Sequence, residues 1–218
     1  MKILITGFEP FAGETLNPSW EVAQRLNGQW LSGASLVAVQ LPCVFASSLM
    51  VLSEAIRVHQ PDAVVALGQA DGRSDFSIER IAINVCDARI PDNAGAQPVD
   101  VPVVLDGPAG YFSTLPIKKI ATNLKANRFP VAISQTAGTF VCNQVFYGLQ
   151  HMLRETRVAS GFVHVPLLPE QVAARGGASL PSMSTDTLAE ALRCAISALV
   201  QHMVQGGVDA QIGMGANH

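Results

Sequence analysis

The segment over 134–149, SQTAGTFVCNQVFYGL, places Cys142 after a run of small and hydroxylated residues and at the start of an apolar pattern with helical spacing. Gly138 and Thr139 suit a tight turn and a helix cap, which puts Cys142 in the first turn of the predicted helix. There the helix dipole and unpaired N–H groups favour a thiolate nucleophile and can hydrogen-bond an oxyanion. A buried packing cysteine is the alternative, and the local sequence leaves both interpretations open.

A nucleophilic cysteine needs a base, and His164 is the candidate. It lies in SGFVHVPLLPEQ, at the carboxyl end of a predicted apolar strand and just before a proline turn. Active sites of open α/β sheets gather at the carboxyl ends of strands, so this position suits a general base. The alternative is a core histidine bonded to a backbone carbonyl. The other histidines, on predicted helix faces or in the tail, are interpreted as solvated.

Glu79 is the candidate carboxylate that would orient the base. It lies in SIERIAIN among isoleucines, where burying a lone charge is costly, so we expect Arg80 or an imidazole as its partner. The alternative is a glutamate on the solvated face of an edge strand. Together, Cys142, His164 and Glu79 predict a cysteine–histidine–carboxylate hydrolase, although the sequence alone leaves open whether the three side chains meet.

The first predicted strand ends in GFEPFAG, which matches neither GxGxxG nor GxxxxGK[ST], so a nucleotide cradle is not predicted. Phe8 and Phe11 in this loop would wall a small apolar pocket, or else pack the loop itself. The sequence has no HExxH motif, no CxxC pair and no paired carboxylate–histidine spacing, so no metal site is expected. Cys43, Cys86 and Cys194 lack the setting of Cys142 and are interpreted as packing residues.

The composition predicts one compact domain over residues 1–218, because 49% of its residues are hydrophobic and only 14% are charged. A net charge of −3 without a basic cluster gives no reason to expect nucleic acid or an anionic membrane as a partner. No apolar run approaches the roughly 18 residues of a spanning helix, and Gly7 and Glu9 interrupt the N-terminal run too early for a signal peptide. With four scattered cysteines, these features predict a soluble, cytoplasmic protein.

Strand-like and helix-like segments alternate along the chain, which predicts an α/β fold with a largely parallel sheet. The predicted strands cover 2–8, 35–41, 62–68, 77–85, 130–134 and 160–165. The predicted helices cover about 17–28, 47–60, 116–127, the segment after Cys142, and 185–204. Residues 86–116 are dense in proline, glycine and aspartate and predict a long irregular loop, typical of a lid or binding loop. The tail over 205–218 is expected to fray.

Several long motifs in order resemble the pyroglutamyl peptidase type I family of cysteine peptidases, also called pyrrolidone-carboxylate peptidases. The motifs are ITGFEPFAGETLNPSW, GQADGRSDFSIERIAIN, NVCDARIPDN, QPVD, SQTAGTFVCN and GFVHVPLLPEQ. The resemblance implies a three-layer α/β/α sandwich with a mostly parallel mixed sheet, similar to phosphorylase- and hydrolase-like folds. It also implies a homo-oligomer, commonly a tetramer. In the glutamate motif Asp71 stands where the family usually has a small residue and Phe76 where it usually has a smaller aliphatic one, which puts the rate or the loop geometry in question.

The resemblance implies removal of an N-terminal pyroglutamyl residue from peptides through a thioester, with no cofactor. Cys142 would be the nucleophile, His164 the general base and acid, Glu79 the orienting carboxylate and Arg89 a helper at the oxyanion site. The pocket for the pyrrolidone ring would be lined by Phe8, Phe11, Gln69, Ile90, Phe140 and Val141. A nucleoside-phosphorylase-like enzyme and a non-catalytic small-ligand-binding α/β protein are the alternatives.

Overall fold

Nine β-strands and six α-helices alternate along the residues that the computed structural model describes, 1–176 and 179–215. The strands are β1 (Lys2–Phe8), β2 (Trp30–Leu31), β3 (Ala34–Leu41), β4 (Ala63–Gln69), β5 (Phe76–Glu79), β6 (Ile81–Ile83), β7 (Gly110–Phe112), β8 (Val131–Ser134) and β9 (Ala159–Val165). The helices are α1 (Pro18–Leu26), α2 (Ser48–His59), α3 (Ile117–Ala126), α4 (Val141–Leu153), α5 (Pro169–Ala174) and α6 (Thr185–Gln205).

Seven strands form one mixed sheet in the order β2-β3-β1-β4-β9-β5-β8, and β6 pairs with β7 in a separate two-stranded sheet. In the large sheet β3, β1, β4 and β9 are parallel to one another, and β5 is parallel to β8. The β5 strand runs antiparallel to β9, and the short β2 runs antiparallel to β3. The predicted α/β class with a mostly parallel sheet is confirmed.

Helices cover both faces of the large sheet. The helices α1, α3 and α6 pack on one face, and α2 and α4 pack on the other. Successive side chains of a strand point to opposite faces, and β4 illustrates this alternation. Val65 and Leu67 enter the core under α1, α3 and α6, whereas Val64 and Ala66 enter the core under α2 and α4. Because β4 is buried on both faces, its sequence is a continuous apolar run rather than an alternating one.

The α1 helix approaches β1 closely because Gly7 has no side chain. A Cβ atom at Gly7 would lie 2.4 Å from the carbonyl oxygen of Ser19. The helix begins as the sequence predicts, with the side chain of Asn17 accepting a hydrogen bond from the Ser19 N–H at 3.1 Å and Pro18 in the first turn. This contact fixes the loop that follows β1, which carries Phe11 and Glu14.

The segment predicted as one strand over 77–85 forms two strands in different sheets. The β5 strand joins the large sheet with all of its residues buried, including Phe76 in the core, and β6 pairs with β7. The apolar positions change phase at Glu79 and Arg80, from Phe76 and Ile78 to Ile81 and Ile83, so the sequence carries a signal for the break that the single predicted strand overlooked. The sequence pattern does not predict β2 or α5 either, because two residues and six residues are too few for a periodic signal.

The segment 86–116, predicted as one irregular loop, contains the strand β7, which pairs with β6, and its irregular part is tied to the rest of the protein by polar contacts. Asp92, which is 6% exposed, accepts a hydrogen bond from the backbone N–H of Phe45 at 2.8 Å. The side chain of Asn93 donates to the carbonyl of Pro10 at 2.9 Å. The loop therefore packs against the segment after β1.

The tail expected to fray, 205–218, falls partly on residues 216–218, which lie outside the described residues. In the described part, Asp209 accepts hydrogen bonds from the N–H groups of Lys118 and Lys119 at 2.9 Å each, in the first turn of α3. A carboxylate at this position satisfies two free N–H groups and interacts favourably with the helix dipole. This part of the tail is therefore anchored to α3. Among the described helices, none combines the length and apolar character needed to cross a bilayer.

Candidate active site

Two strands that run in opposite directions bring Glu79 and His164 together. In the register of β5 and β9, Ser77 lies opposite His164 and Ile78 lies opposite Val163. Because side chains alternate along a strand, Glu79 and His164 point to the same face, the one on which α4 packs. Oε1 of Glu79 lies 2.8 Å from Nδ1 of His164. Glu79 is fully buried and His164 is 4% exposed, so water does not compete for this contact.

The contact with Glu79 determines which nitrogen of His164 carries the proton. An ionised carboxylate can only accept hydrogen bonds, so Nδ1 of His164 must be the donor. In a neutral imidazole the other nitrogen, Nε2, is then an acceptor that can receive a proton from a neighbouring group. The ring of Phe162 packs against the imidazole with a centroid separation of 4.9 Å, which restricts the imidazole further.

Arg73 supplies the positive charge next to the buried carboxylate of Glu79. Its Nη1 donates to Oε1 of Glu79 at 2.6 Å, and its Nη2 donates to the carbonyl of Thr136 at 3.0 Å. In the described part of the chain, Oε2 of Glu79 has no hydrogen-bond partner. A fully buried carboxylate with a free oxygen is costly, so its burial depends on the ion pair with Arg73 and the bond to His164.

Cys142 is the second residue of α4, so its N–H and those of Val141 and Asn143 have no intrahelical partner. Its sulfur lies against the backbone of β4, because a Cβ atom placed on Gly68 would be only 2.9 Å from Sγ. Gly68 is also the register partner of His164 across β4 and β9. The thiol and the imidazole therefore lie on the same face of the sheet, near the carboxyl ends of two neighbouring parallel strands.

Burial raises the pKa of the Cys142 thiol well above its ordinary value. The nearby Cys43 and the carboxylate of Glu79 act in the same direction, whereas Arg73 and the backbone N–H of Cys142 lower this pKa. Burial therefore opposes the thiolate that the start of the helix favours. A base must remove the proton before Cys142 can act as a nucleophile.

Asn143 fixes the start of α4 next to the thiol. This buried amide donates from Nδ2 to the carbonyls of Ile83 at 2.8 Å and Val85 at 2.9 Å. Its Oδ1 accepts from the N–H of Ile83 at 3.0 Å. With these three bonds, Asn143 holds the first turn of α4, and with it Cys142, in a fixed position relative to β6.

A cavity of about 460 Å³ is lined by chain neighbours of the site, among them Gln69 and Phe140, although Cys142 and His164 are not among its lining residues. Its apolar wall comprises Phe11, Ile90 and Phe140, and the polar side chain of Gln69 lies in the same wall. The rings of Phe11 and Phe140 pack with a centroid separation of 6.2 Å. Gln69 directly follows Gly68, and Phe140 is the N-cap of α4, so these residues connect the cavity to Cys142. Such a chamber suits a small, mainly apolar group that carries a few polar atoms.

Two of the residues expected to line the pocket, Phe8 and Val141, do not line the cavity. Phe8 is 2% exposed and Val141 is fully buried, and both belong to the core under α2 and α4 rather than to the cavity wall. The ring of Phe8 packs on Phe162 with a centroid separation of 6.4 Å, behind the imidazole. Arg89 is exposed and lies in the cavity wall, in the loop that follows β6.

The other three cysteines differ from Cys142 in their surroundings, although Cys43 lies close enough to Cys142 to affect its pKa. Cys43 and Cys86 are 3% and 4% exposed, and burial raises the pKa of Cys43 to about 12 and that of Cys86 to about 11. The negative charges of Glu9 and Asp92 contribute to the shift of Cys43. Cys194 is partly buried in α6. These positions fit the interpretation of the three residues as packing side chains.

Two residues that hold the site, Arg73 and Asn143, were not predicted from the sequence. Of the two partners expected for Glu79, the imidazole is confirmed by His164, whereas the arginine that pairs with Glu79 is Arg73 and not Arg80. A basic residue in the turn just before the Glu79 strand was an available signal for Arg73. The polar side chain of Asn143, inside the first turn of a largely apolar helix, was a signal for a buried hydrogen-bonding role.

Comparison with known proteins identifies close relatives. The profile of a family described as "Pyroglutamyl peptidase" matches residues 1–202. The chain is 55% identical over 217 residues to a pyrrolidone-carboxylate peptidase of Klebsiella pneumoniae, covering 99% of each chain. The crystal structure of pyroglutamyl peptidase I from Bacillus amyloliquefaciens superposes with a TM-score of 0.92 at 47% identity, covering 97% of this chain and 99% of that one. The pyrrolidone carboxyl peptidase of Thermococcus litoralis gives a TM-score of 0.93 at 34% identity, over 97% and 99% of the two chains.

Proposed function

This chain belongs to the pyroglutamyl peptidase family, and on that premise we propose that Cys142, His164 and Glu79 carry out its reaction. The chain is a cysteine omega-peptidase that removes an N-terminal pyroglutamyl (5-oxoprolyl) residue from peptides. Neither a phosphorylase activity nor a purely ligand-binding role receives support from its relatives. The observation that carries the assignment of residues is the buried 2.8 Å contact between Glu79 and His164, on the sheet face where the Cys142 sulfur lies.

The first half of the reaction forms a thioester. Nε2 of His164 takes the proton of the Cys142 thiol, and the resulting thiolate attacks the carbonyl carbon of the pyroglutamyl residue. The free N–H groups at the start of α4 stabilise the oxyanion, and Arg89 in the cavity wall assists them. When the intermediate collapses, the C–N bond breaks and the imidazolium of His164 gives its proton to the departing amine.

The second half releases the product. A water molecule gives a proton to Nε2 of His164 and attacks the thioester carbonyl. The C–S bond then breaks, free pyroglutamate leaves, and the imidazolium returns its proton to the sulfur of Cys142. Throughout, Glu79 holds the imidazole in the required tautomer and stabilises its charged form. Neither half requires a metal ion or an organic cofactor.

The cavity lined by Phe140, at the start of α4, binds the pyroglutamyl ring. Pyroglutamate is a compact, neutral lactam without an α-amine that could ionise, so its pocket should be apolar with a few hydrogen-bonding groups. Phe11, Ile90 and Phe140 form the apolar wall, and Gln69 provides an amide. Phe8 and Val141 support this wall from the core. A proline residue lacks the ring carbonyl and would leave polar groups unpaired, so it is rejected.

The protein forms a homo-oligomer, a tetramer by resemblance, and acts in the cytoplasm on pyroglutamylated peptides. Four large apolar side chains in or next to the long loop are at least 46% exposed, which suits a surface covered by another copy: Val99, Val101, Leu105 and Phe112. All four cysteines are free thiols, which fits a reducing compartment. Light scattering coupled to size-exclusion chromatography tests the assembly: a mass near four chains is expected, and a monomer at micromolar concentration contradicts it.

Hydrolysis of a fluorogenic pyroglutamyl amide by the reduced protein tests the function. The prolyl amide serves as the matched substrate, since it differs in the ring carbonyl. Turnover of the pyroglutamyl amide without added phosphate, with the prolyl amide inert, is expected. A folded, reduced protein that turns over neither amide contradicts the proposal, and equal turnover of both amides contradicts the assigned pocket.

A further inference from the structure

We propose that Asp71 and Arg175 are positioning residues that fix the orientation of the Gln69 amide, and that they thereby select a ring carrying both a carbonyl and an N–H. The inference rests on the proposed function, because it concerns the lactam of the pyroglutamyl residue. Asp71, Arg175 and Gln69 all line the same cavity.

The amide of Gln69 is bonded at both of its polar atoms. Its Nε2 donates to Oδ1 of Asp71 at 2.8 Å. Its Oε1 accepts from Nε2 of Gln171 at 3.0 Å. A carboxylate only accepts and the Nε2 of an amide only donates, so the two neighbours require the same orientation of Gln69.

Each of these neighbours is itself held in place. Gln171 is 2% exposed, and its Oε1 accepts from the backbone N–H of Leu168 at 3.0 Å, so its own amide cannot turn without losing that bond. Asp71 is half exposed and depends on Arg175, whose Nη1 donates to Oδ2 of Asp71 at 2.6 Å. The remaining donors of Arg175 reach Oε1 of Glu14, from Nε at 2.9 Å and from Nη2 at 2.6 Å.

These contacts form one chain of hydrogen bonds around Gln69. Gln171 belongs to α5 and Arg175 follows directly after that helix, so one short helix reaches both ends of the Gln69 amide. Glu14 anchors the arginine to the loop after β1. An exposed ion pair contributes little to stability by itself, but here the pair sets the direction of a buried amide in the substrate pocket.

The orientation matters because a lactam presents its N–H and its carbonyl side by side. After its two internal bonds, Gln69 retains one N–H and one lone pair of Oε1 for a ligand. These groups complement the carbonyl and the N–H of the ring. If the amide turned over, its oxygen would face the carboxylate of Asp71 and its NH2 group would face that of Gln171. Asp71 therefore opposes the orientation in which Gln69 would repel a lactam.

A small lactam and a small cyclic ketone separate this role from simple pocket shape. 2-Pyrrolidone carries the carbonyl and the N–H, whereas cyclopentanone has a similar ring and carbonyl but no N–H. The affinity of each compound is measured from its protection of Cys142 against iodoacetamide, which needs no turnover. The quantity of interest is the ratio of the two dissociation constants, because a general distortion of the pocket changes both.

The test compares the wild type with Asp71→Ala, Arg175→Gln and the control Glu190→Ala. Glu190 also pairs with an arginine, Arg193, but lies on α6 outside the cavity. We expect the wild type and Glu190→Ala to prefer 2-pyrrolidone over cyclopentanone equally. In Asp71→Ala the ratio of the two dissociation constants should fall about tenfold, the effect of one hydrogen bond. Arg175→Gln should lose a smaller part. The unprotected alkylation rate and circular dichroism identify any variant that fails to fold, and Arg175→Gln then carries the test.

A charge-reversed pair supplies a second, independent readout. Asp71→Arg combined with Arg175→Asp retains opposite charges but places a donor beside the NH2 group of Gln69. If the pair positions Gln69, the double variant keeps the low preference of Asp71→Ala. Restored preference in the double variant, or an unchanged preference in Asp71→Ala and Arg175→Gln, overturns the inference. Because hydrolysis of the pyroglutamyl amide is assayed separately on the wild type, failure of the proposed function is distinguished from failure of this inference.

Discussion

Nδ1 of His164 lies 2.8 Å from Oε1 of Glu79, and the same oxygen accepts a hydrogen bond from Arg73 at 2.6 Å. A single buried carboxylate oxygen therefore holds both an imidazole and a guanidinium. The imidazole belongs to His164, the proposed general base, whereas the side chain of Arg73 is 29% exposed and reaches the surface. This arrangement separates two effects that mutations can test independently, the orientation of the base and the compensation of a buried charge.

Replacing Glu79 with glutamine should preserve the fold but lower kcat by a factor of about 10 to 10⁴. Glutamine has the same shape, but its NH2 group can face Nδ1 of His164 and favour the wrong tautomer, and it no longer stabilises the imidazolium. Steady-state hydrolysis of a pyroglutamyl amide measures the effect, with Glu190→Gln on α6 as a control. An unchanged kcat in Glu79→Gln would remove Glu79 from the catalytic group.

Replacing Arg73 with glutamine should lower the free energy of unfolding by about 1–3 kcal/mol, because it leaves the fully buried Glu79 without its counter-charge. Arg57→Gln is the matched control, since Arg57 pairs with Glu54 in an exposed ion pair and its loss should change stability by less than about 1 kcal/mol. Urea denaturation of the two variants gives the comparison. Equal losses would mean that Glu79 does not depend on Arg73 for its burial.

Alkylation of Cys142 by iodoacetamide should rise with pH around a midpoint above that of an ordinary thiol. Burial raises the pKa of Cys142, whereas the positive charge of Arg73 lowers it by favouring the thiolate. Removing that charge in Arg73→Gln should therefore move the midpoint to still higher pH. A small free thiol in the same buffers provides the reference. A rate that is already constant across neutral pH would show that the thiolate exists at rest.

Stability should fall as the pH rises above about 9, because buried thiols resist ionisation. The pKa of Cys43 is raised to about 12 from a value of 9.0, so between these values the folded protein binds more protons than the unfolded chain. The free energy of unfolding then decreases by about 1.4 kcal/mol per pH unit for each such thiol. Cys43→Ala should lower stability at neutral pH but flatten this alkaline slope. An identical slope in the variant would contradict the burial of a neutral thiol at this position.

Replacing Gly68 with alanine should lower kcat/KM at least tenfold. The new methyl group would lie 2.9 Å from Sγ of Cys142 and 2.7 Å from Cζ of Phe162, so the thiol or the ring must move. A displacement of this size at a reacting atom disrupts the alignment needed for attack. Gly213→Ala is the matched control, because nothing lies within 4 Å of the added atom there. Comparable activity of the two variants would show that Sγ does not rely on Gly68.

Local patterns were sufficient to predict most elements of the large sheet. Apolar runs that end in glycine or proline predict β1 and β4, and the small residues before Cys142 predict a helix start within two residues of the observed one. The change of phase at Glu79 and Arg80 marks the break between β5 and β6, but the assignment of the two strands to different sheets was not predictable because it depends on distant strands. The α5 helix was not predicted either, because six residues are too few to show a helical period.

The sequence was sufficient to predict most of the residues that form the candidate site, but not which of their side chains contact one another. The positions of Cys142 and His164 at element ends have a local physical logic, and the resemblance placed Glu79 with them. The imidazole was among the partners expected for Glu79, but the choice of arginine was not, since Arg73 and Arg80 are similar in type and the turn before β5 decides between them. In the same way, the ion pair of Asp71 with Arg175 joins residues 104 positions apart.

Hydrolysis of a fluorogenic pyroglutamyl amide by Cys142→Ser, beside the wild type and Cys194→Ser, tests the central assignment most directly. Cys194 lies on α6, away from the cavity, so its variant controls for the loss of a thiol in general. The account predicts full activity for the wild type and Cys194→Ser and a loss of at least about 10³-fold for Cys142→Ser with an unchanged fold. Retained turnover in a folded Cys142→Ser protein would contradict a thioester mechanism at this residue.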